Sequence, residues 1–167
     1  MHKDWAPLGA QRFLDLVKTG FLNGAKFFRV VPGFMAQFGL PQDPNKNAQW
    51  AELRDDSPAK CPSNKRGTVV FATSGPNSRT TQLFINFGDN AFLDAQGFTP
   101  FGEVVSGMNL VDQINPEYRE TPDQGTIRQQ GDAYLSSSFP NLSRIKETCL
   151  LPAKSPAMAS GMPAAVS

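Results

Sequence analysis

Arg29 is the side chain with the strongest claim to chemistry. It interrupts an apolar run, Phe27-Phe28-Arg29-Val30-Val31. After Pro32-Gly33 a second run, Phe34-Met35-Ala36-Gln37-Phe38, carries a single amide. A guanidinium costs free energy when it leaves water unless a partner receives it. Arg29 therefore has either a structural ion-pair partner or a place at the wall of a ligand pocket. Gln37 and Gln82 are the other polar candidates, and Phe34, Met35, Phe84, Phe92 and Leu93 are the apolar ones. This set suits binding an apolar group beside a hydrogen-bonded carbonyl or amide, with no covalent step.

Competing chemistries find little support. The one histidine, His2, lies beside the chain start, where backbone frays, which argues against His-based catalysis and His-ligated metal. Cys61 and Cys149 fit no CxxC pattern and read as free thiols. There is no Walker loop and no GxGxxG. Asp55-Asp56 reads as a pair of solvated loop charges rather than an acid/base dyad. No metal and no cofactor is expected.

The elements that must position Arg29 come next. At 167 residues the chain supports one domain with its own core. A formal net charge of +1 points to neither a nucleic-acid nor a membrane surface. Thirteen phenylalanines against two tyrosines and two tryptophans favour a Phe-lined core or pocket. No apolar run is long enough to predict a transmembrane helix, and the opening residues lack a signal peptide's apolar centre.

Pro7 and the spacing of Phe13, Leu14, Val17 and Phe21 predict a helix over 7–19. Strands are predicted at Phe27–Val31, Phe34–Phe38, Gly67–Thr73, Gln82–Phe87 and Phe98–Val104. Alternation should set Phe27, Arg29 and Val31 on one face, and Met35 with Gln37 on one face. Met108–Ile114 reads as a short second helix, 40–66 as a long surface loop and 115–131 as loop. Phe139–Ile145 should pack on the domain. Many short strands and two helices indicate a mainly β barrel or sandwich. We expect one domain over 1–150 and an Ala/Pro/Ser-rich, disordered tail over 151–167.

Three collinear blocks carry a family resemblance. They are Phe27–Gln37; then Gly67-Thr68-Val69-Val70-Phe71-Ala72, Gly75-Pro76-Asn77-Ser78 and Thr81-Gln82-Leu83-Phe84-Ile85-Asn86; then Phe92-Leu93-Asp94 with Phe101-Gly102-Glu103-Val104-Val105-Ser106-Gly107-Met108. Over roughly residues 5–150 the chain resembles cyclophilin-type peptidyl-prolyl cis-trans isomerases. The resemblance implies an antiparallel eight-stranded β-barrel with two capping helices, incomplete here because the family's N-terminal β-hairpin has no counterpart before residue 7. It implies that Arg29 is the catalytic arginine. It also implies that Phe34, Met35, Phe84 and Leu93 receive the substrate proline ring, that Gln37 orients arginine and substrate, and that Ala72, Thr73, Gln82, Phe92 and Phe98 occupy further groove positions.

Phe92 stands where many members carry tryptophan, so cyclosporin binding is expected to be weak. Phe98 and Phe28 replace common histidines, and Thr73-Ser74 a frequent Asn-Ala pair. The implied activity is isomerisation of X–Pro bonds in polypeptides during folding, by a cytoplasmic monomer with no nucleic-acid or membrane partner. A non-catalytic proline-peptide binding module and an unstable fragment are the alternatives.

Overall fold

The computed structural model describes residues 1–152. The expected tail therefore lies, from residue 153 on, outside the described residues. Helix α1 spans Pro7–Lys18 and begins, as expected, with proline in its first turn. Strands β1 (Arg29–Val31), β2 (Met35–Phe38), β3 (Thr68–Phe71), β4 (Leu83–Asn86) and β5 (Pro100–Glu103) follow, then α2 (Met108–Val111), α3 (Gln124–Gln130) and α4 (Asp132–Ser138). No helix among the described residues is long and apolar enough to cross a membrane.

The five strands form one antiparallel sheet in the order β1-β2-β4-β3-β5. The sheet is not closed into a barrel, and β1 and β5 are its edges. Bare edges invite foreign strands, and both are occupied by this chain. At β1, Val30 N–H donates to the Arg119 carbonyl at 3.0 Å. Just before β1, Phe27 N–H donates to Ser143 O at 2.9 Å, and Lys26 bridges Arg144. At β5, His2 N–H donates to Phe101 O at 2.8 Å, and the His2 ring stacks on Trp5.

One face of the sheet packs on α1. Val30, Ala36, Phe38, Phe71, Leu83 and Phe101 are buried there with Ala10, Leu16 and Val17 of the helix. The opposite face gathers Met35, Val70, Phe84 and Leu93. A third cluster joins Phe28 and Leu40 to Ile127, Leu135, Phe139 and Leu142.

Four sequence expectations are corrected. Phe27 does not share a face with Arg29 and Val31, because regular strand begins only at Arg29 and Phe27 turns into the α1 core. Residues 115–131 are not all loop: α3 lies within them, and α4 follows it, so the described residues hold four α-helices rather than two. Their seven-residue lengths give too few turns for a clear helical period. The 40–66 segment carries 3₁₀ turns at Pro44–Gln49 and Pro58–Lys60.

The fourth correction concerns Asp55-Asp56. Asp56 is buried, its carboxylate accepting Leu8 N–H and Gly9 N–H at 2.8 Å each. The N-cap of α1 is Ala6, which offers no acceptor. A carboxylate at a helix N-terminus satisfies orphan amides and meets the positive end of the dipole. Here it arrives from 47 residues along the chain. The same carboxylate pairs with the buried Arg79 guanidinium at 3.0 Å, and Arg79 also donates to the Arg54 carbonyl.

Candidate functional site

The register of three strands builds the site. Arg29 of β1 pairs with Gln37 of β2, and Gln37 pairs with Phe84 of β4. Alternation then sends Met35 and Gln37 to one face, as expected, while Ala36 and Phe38 enter the α1 core. The guanidinium, the amide and the ring thus stand in one row across the sheet. Between β1 and β2, Phe34 N–H closes a turn onto Val31 O at 3.0 Å with Gly33 at φ 76°. Proline followed by a residue at positive φ is the type II arrangement, which glycine adopts without strain.

Above this row lies a groove of about 450 Å³. Its polar lining includes Arg29, Gln37, Thr73 and Gln82, and its apolar lining Phe34, Met35, Ala72, Phe84, Leu93 and Phe98. Every position singled out from the sequence is brought to it except Phe92. That ring is 58% exposed and stacks on Phe34 with centroids 5.8 Å apart, outside the lining. Phe98 meets Phe84 edge-on at 5.7 Å.

The polar groups are wired together. Arg29 Nη1 donates to Gln37 Oε1 at 3.2 Å, and Gln37 Nε2 donates to Gln82 Oε1 at 2.9 Å. Gln37 and Gln82 are both buried. With its oxygen taken by the cation, Gln37 has its amide orientation set. The other edge of the guanidinium faces Glu120: Nε lies 2.7 Å and Nη2 2.5 Å from Oε1. Both possibilities raised for Arg29 are thus realised, since it has an ion-pair partner and lines a groove.

A second polar network underlies the apolar end. Asn86 Nδ2 donates to Thr68 Oγ1 at 2.8 Å, and Asn90 Nδ2 donates to Asn86 Oδ1 at 2.7 Å and to Phe34 O at 2.9 Å. Asp94 fixes the turn that presents Leu93, accepting from Asn64 N–H at 2.9 Å, Asn64 Nδ2 at 2.7 Å and the Ser63 hydroxyl. Partial burial opposes the Asp94 charge, but these donors outweigh it and hold the carboxyl below the usual range.

Sequence reasoning does not reach several lining residues: Trp50, Glu52, Thr80, Gln124 and Arg128. Trp50 had a signal, as a large aromatic in an otherwise polar segment, and Arg12 lies over its ring at 5.4 Å. Gln124 and Arg128 sit on α3, where the sequence predicts loop. Glu120 had no local signal. Both cysteines are free, and burial pushes the Cys61 thiol up. Among the described residues no cluster of His, Cys, Asp and Glu could hold a metal ion.

A family model described as cyclophilin type peptidyl-prolyl cis-trans isomerase/CLD matches residues 1–131. A peptidyl-prolyl cis-trans isomerase of Acinetobacter baylyi is 40% identical over 120 residues, which are 68% of this chain and 63% of that protein. Peptidyl-prolyl cis-trans isomerase B of Escherichia coli is 39% identical over 119 residues, 66% of this chain and 73% of that protein. A mouse peptidyl-prolyl cis-trans isomerase-like 3 is 33% identical over 132 residues, covering 77% of this chain and 80% of its own length. The chain spans 63% and 60% of the length of the Acinetobacter protein and of isomerase A of Dickeya dadantii. Among solved structures, a Cryptosporidium parvum cyclophilin type isomerase determined in the presence of the dipeptide Ala-Pro aligns with TM-score 0.55. It is 22% identical, covering 71% of this chain and 79% of that one, a likeness of fold.

Proposed function

The chain belongs to the cyclophilin-type peptidyl-prolyl cis-trans isomerases, and from that premise we propose that it accelerates rotation about X–Pro bonds in polypeptides. The observation that carries this reading is the Arg29–Gln37–Gln82 relay set beside the apolar pocket of Phe34, Met35, Phe84 and Leu93.

The X–Pro barrier, about 20 kcal/mol, comes from amide resonance, which draws the nitrogen lone pair into the carbonyl. Twisting the bond breaks the resonance, and the nitrogen becomes pyramidal and regains its lone pair. A donor aimed there stabilises the twisted state more than either planar state, which is the requirement for catalysis. A guanidinium suits this role because it stays protonated and holds its donors in a rigid plane. The pocket would grip the proline ring while the acyl side turns. A roughly 10⁵-fold acceleration requires about 7 kcal/mol of differential stabilisation. One charge-assisted hydrogen bond in a partly dry groove, together with orientation, can supply that order of energy.

In a protease-coupled assay on an Ala-Pro peptide, Arg29→Ala should lose about 10²-fold or more of the parent rate, as expected when a transition-state donor is removed. Equal rates for parent and variant would refute the role. A reading as a pure proline-peptide binder has no observation of its own in its favour.

A further inference from the structure

Glu120 takes no part in the relay, yet the fold takes care to place it. Its carboxylate meets Arg29 Nε at 2.7 Å and Nη2 at 2.5 Å. The backbone one residue earlier is tied to the β1 edge, where the Arg119 carbonyl receives Val30 N–H at 3.0 Å. Arg119 itself holds φ at 46°, one of two non-glycine residues described with positive φ. Such a conformation persists where its surroundings over-determine it, and it clusters at working sites. Tyr118 supplies part of that determination. Its ring packs edge-on against Phe139 at 5.1 Å, and its hydroxyl accepts Asn141 N–H at 3.4 Å.

Resting on the isomerase reading, we propose that Glu120 is a positioning residue for Arg29: it grips the Nε/Nη2 edge of the guanidinium so that the opposite end of the fork faces the groove. A guanidinium has five N–H donors. Nε and one proton of Nη2 face Glu120, and one proton of Nη1 goes to Gln37. One donor on Nη1 and one on Nη2 remain after these contacts. They are the donors available to a twisted prolyl nitrogen. Gln37 alone leaves the group free to swing about its single hydrogen bond; two partners on different edges fix its plane.

The ion pair is not there for stability. The Arg29 and Glu120 side chains are 32% and 58% exposed, and pairs this wet contribute little to folding. A loss of activity on removing Glu120 would thus not be a loss of fold. The opposite role, a brake that neutralises Arg29, predicts the opposite sign.

The test compares the parent, Glu120→Ala, Glu120→Gln and Arg29→Ala. Each is measured for kcat and KM on an Ala-Pro peptide and for the Arg29 Nε–H signal by ¹⁵N–¹H NMR. Glu120→Ala should lower kcat about tenfold with KM nearly unchanged, the mark of a lost transition-state interaction. Glu120→Gln keeps an acceptor and should recover part of that loss. The Arg29 Nε–H signal should be sharp and slow to exchange in the parent and lost in Glu120→Ala. An unchanged or raised kcat in Glu120→Ala, or an unaltered Nε–H signal, would overturn the proposal. If the parent is no faster than Arg29→Ala, the isomerase reading has failed instead, and the Nε–H signal still decides whether Glu120 holds the guanidinium.

Discussion

At the residue scale, the site depends on which way one amide points. Gln37 accepts from Arg29 and donates to Gln82, so its two ends cannot be exchanged without breaking both bonds. Gln37→Leu keeps approximate volume and removes both. We expect kcat/KM for an Ala-Pro peptide to fall by about tenfold, since a loosened donor forfeits orientation, while circular dichroism stays that of the parent. An unchanged rate would mean that Arg29 does not need the relay. Arg29 itself was legible because a charge in an apolar strand demands an explanation, and Gln37 because strand alternation put it on Met35's face. Glu120 was illegible for a physical reason. It lies 91 residues from Arg29, and an exposed glutamate in a polar segment looks like any other.

At the element scale, α1 and the 40–66 segment are held by one buried carboxylate. Asp56 serves the first amides of α1 and the Arg79 guanidinium together. Its side chain is 1% exposed and that of Arg79 4%, so removing it leaves the buried guanidinium with only the longer ion pair to Asp55, at 3.4 Å. Asp56→Ala should cost about 3–5 kcal/mol in urea denaturation, the usual penalty for breaking a buried pair from one side. A loss below about 1 kcal/mol, typical of an exposed pair, would contradict this account of the cap. The sequence signalled where α1 starts through Pro7, but not what caps it. Capping rules look at neighbouring residues, and here the acceptor comes from a distant loop. The five strand positions were readable from β-branched and aromatic runs bounded by Gly and Pro. Helices α3 and α4 were not, since two turns of helix leave too short a period to distinguish from loop.

At the scale of the whole molecule, the question is how a five-stranded open sheet holds the groove proposed for isomerisation. Its β1 edge is lined by the 115–145 stretch, and that stretch is anchored by the cluster of Phe28, Leu40, Ile127, Leu135, Phe139 and Leu142. Phe139 is its hub, meeting Tyr118 at 5.1 Å and Tyr134 at 5.5 Å. Phe139→Ala should lower stability by about 3–5 kcal/mol. Because Glu120 hangs from the same stretch, the variant should also blur the Arg29 Nε–H signal below the melting transition. A melt shifted downward with that signal intact would separate the cluster from the site. The sequence expectation of a mainly β fold holds, while the sheet is open where a barrel is expected. What it could not contain is the repair of the edges, because pairings such as His2 with Phe101 and Val30 with Arg119 leave no mark on local propensity.

The central claim is that Arg29 drives rotation about the prolyl bond rather than only holding a peptide. Two-dimensional exchange NMR on an Ala-Pro peptide, with the chain present in catalytic amount, tests it most directly. The account predicts cross-peaks between cis and trans signals at mixing times well under a second, against tens of seconds or more uncatalysed. With Arg29→Ala, titration should still shift the peptide signals while the exchange cross-peaks vanish. Shifts without exchange in the parent, or exchange as fast in Arg29→Ala as in the parent, would contradict the account.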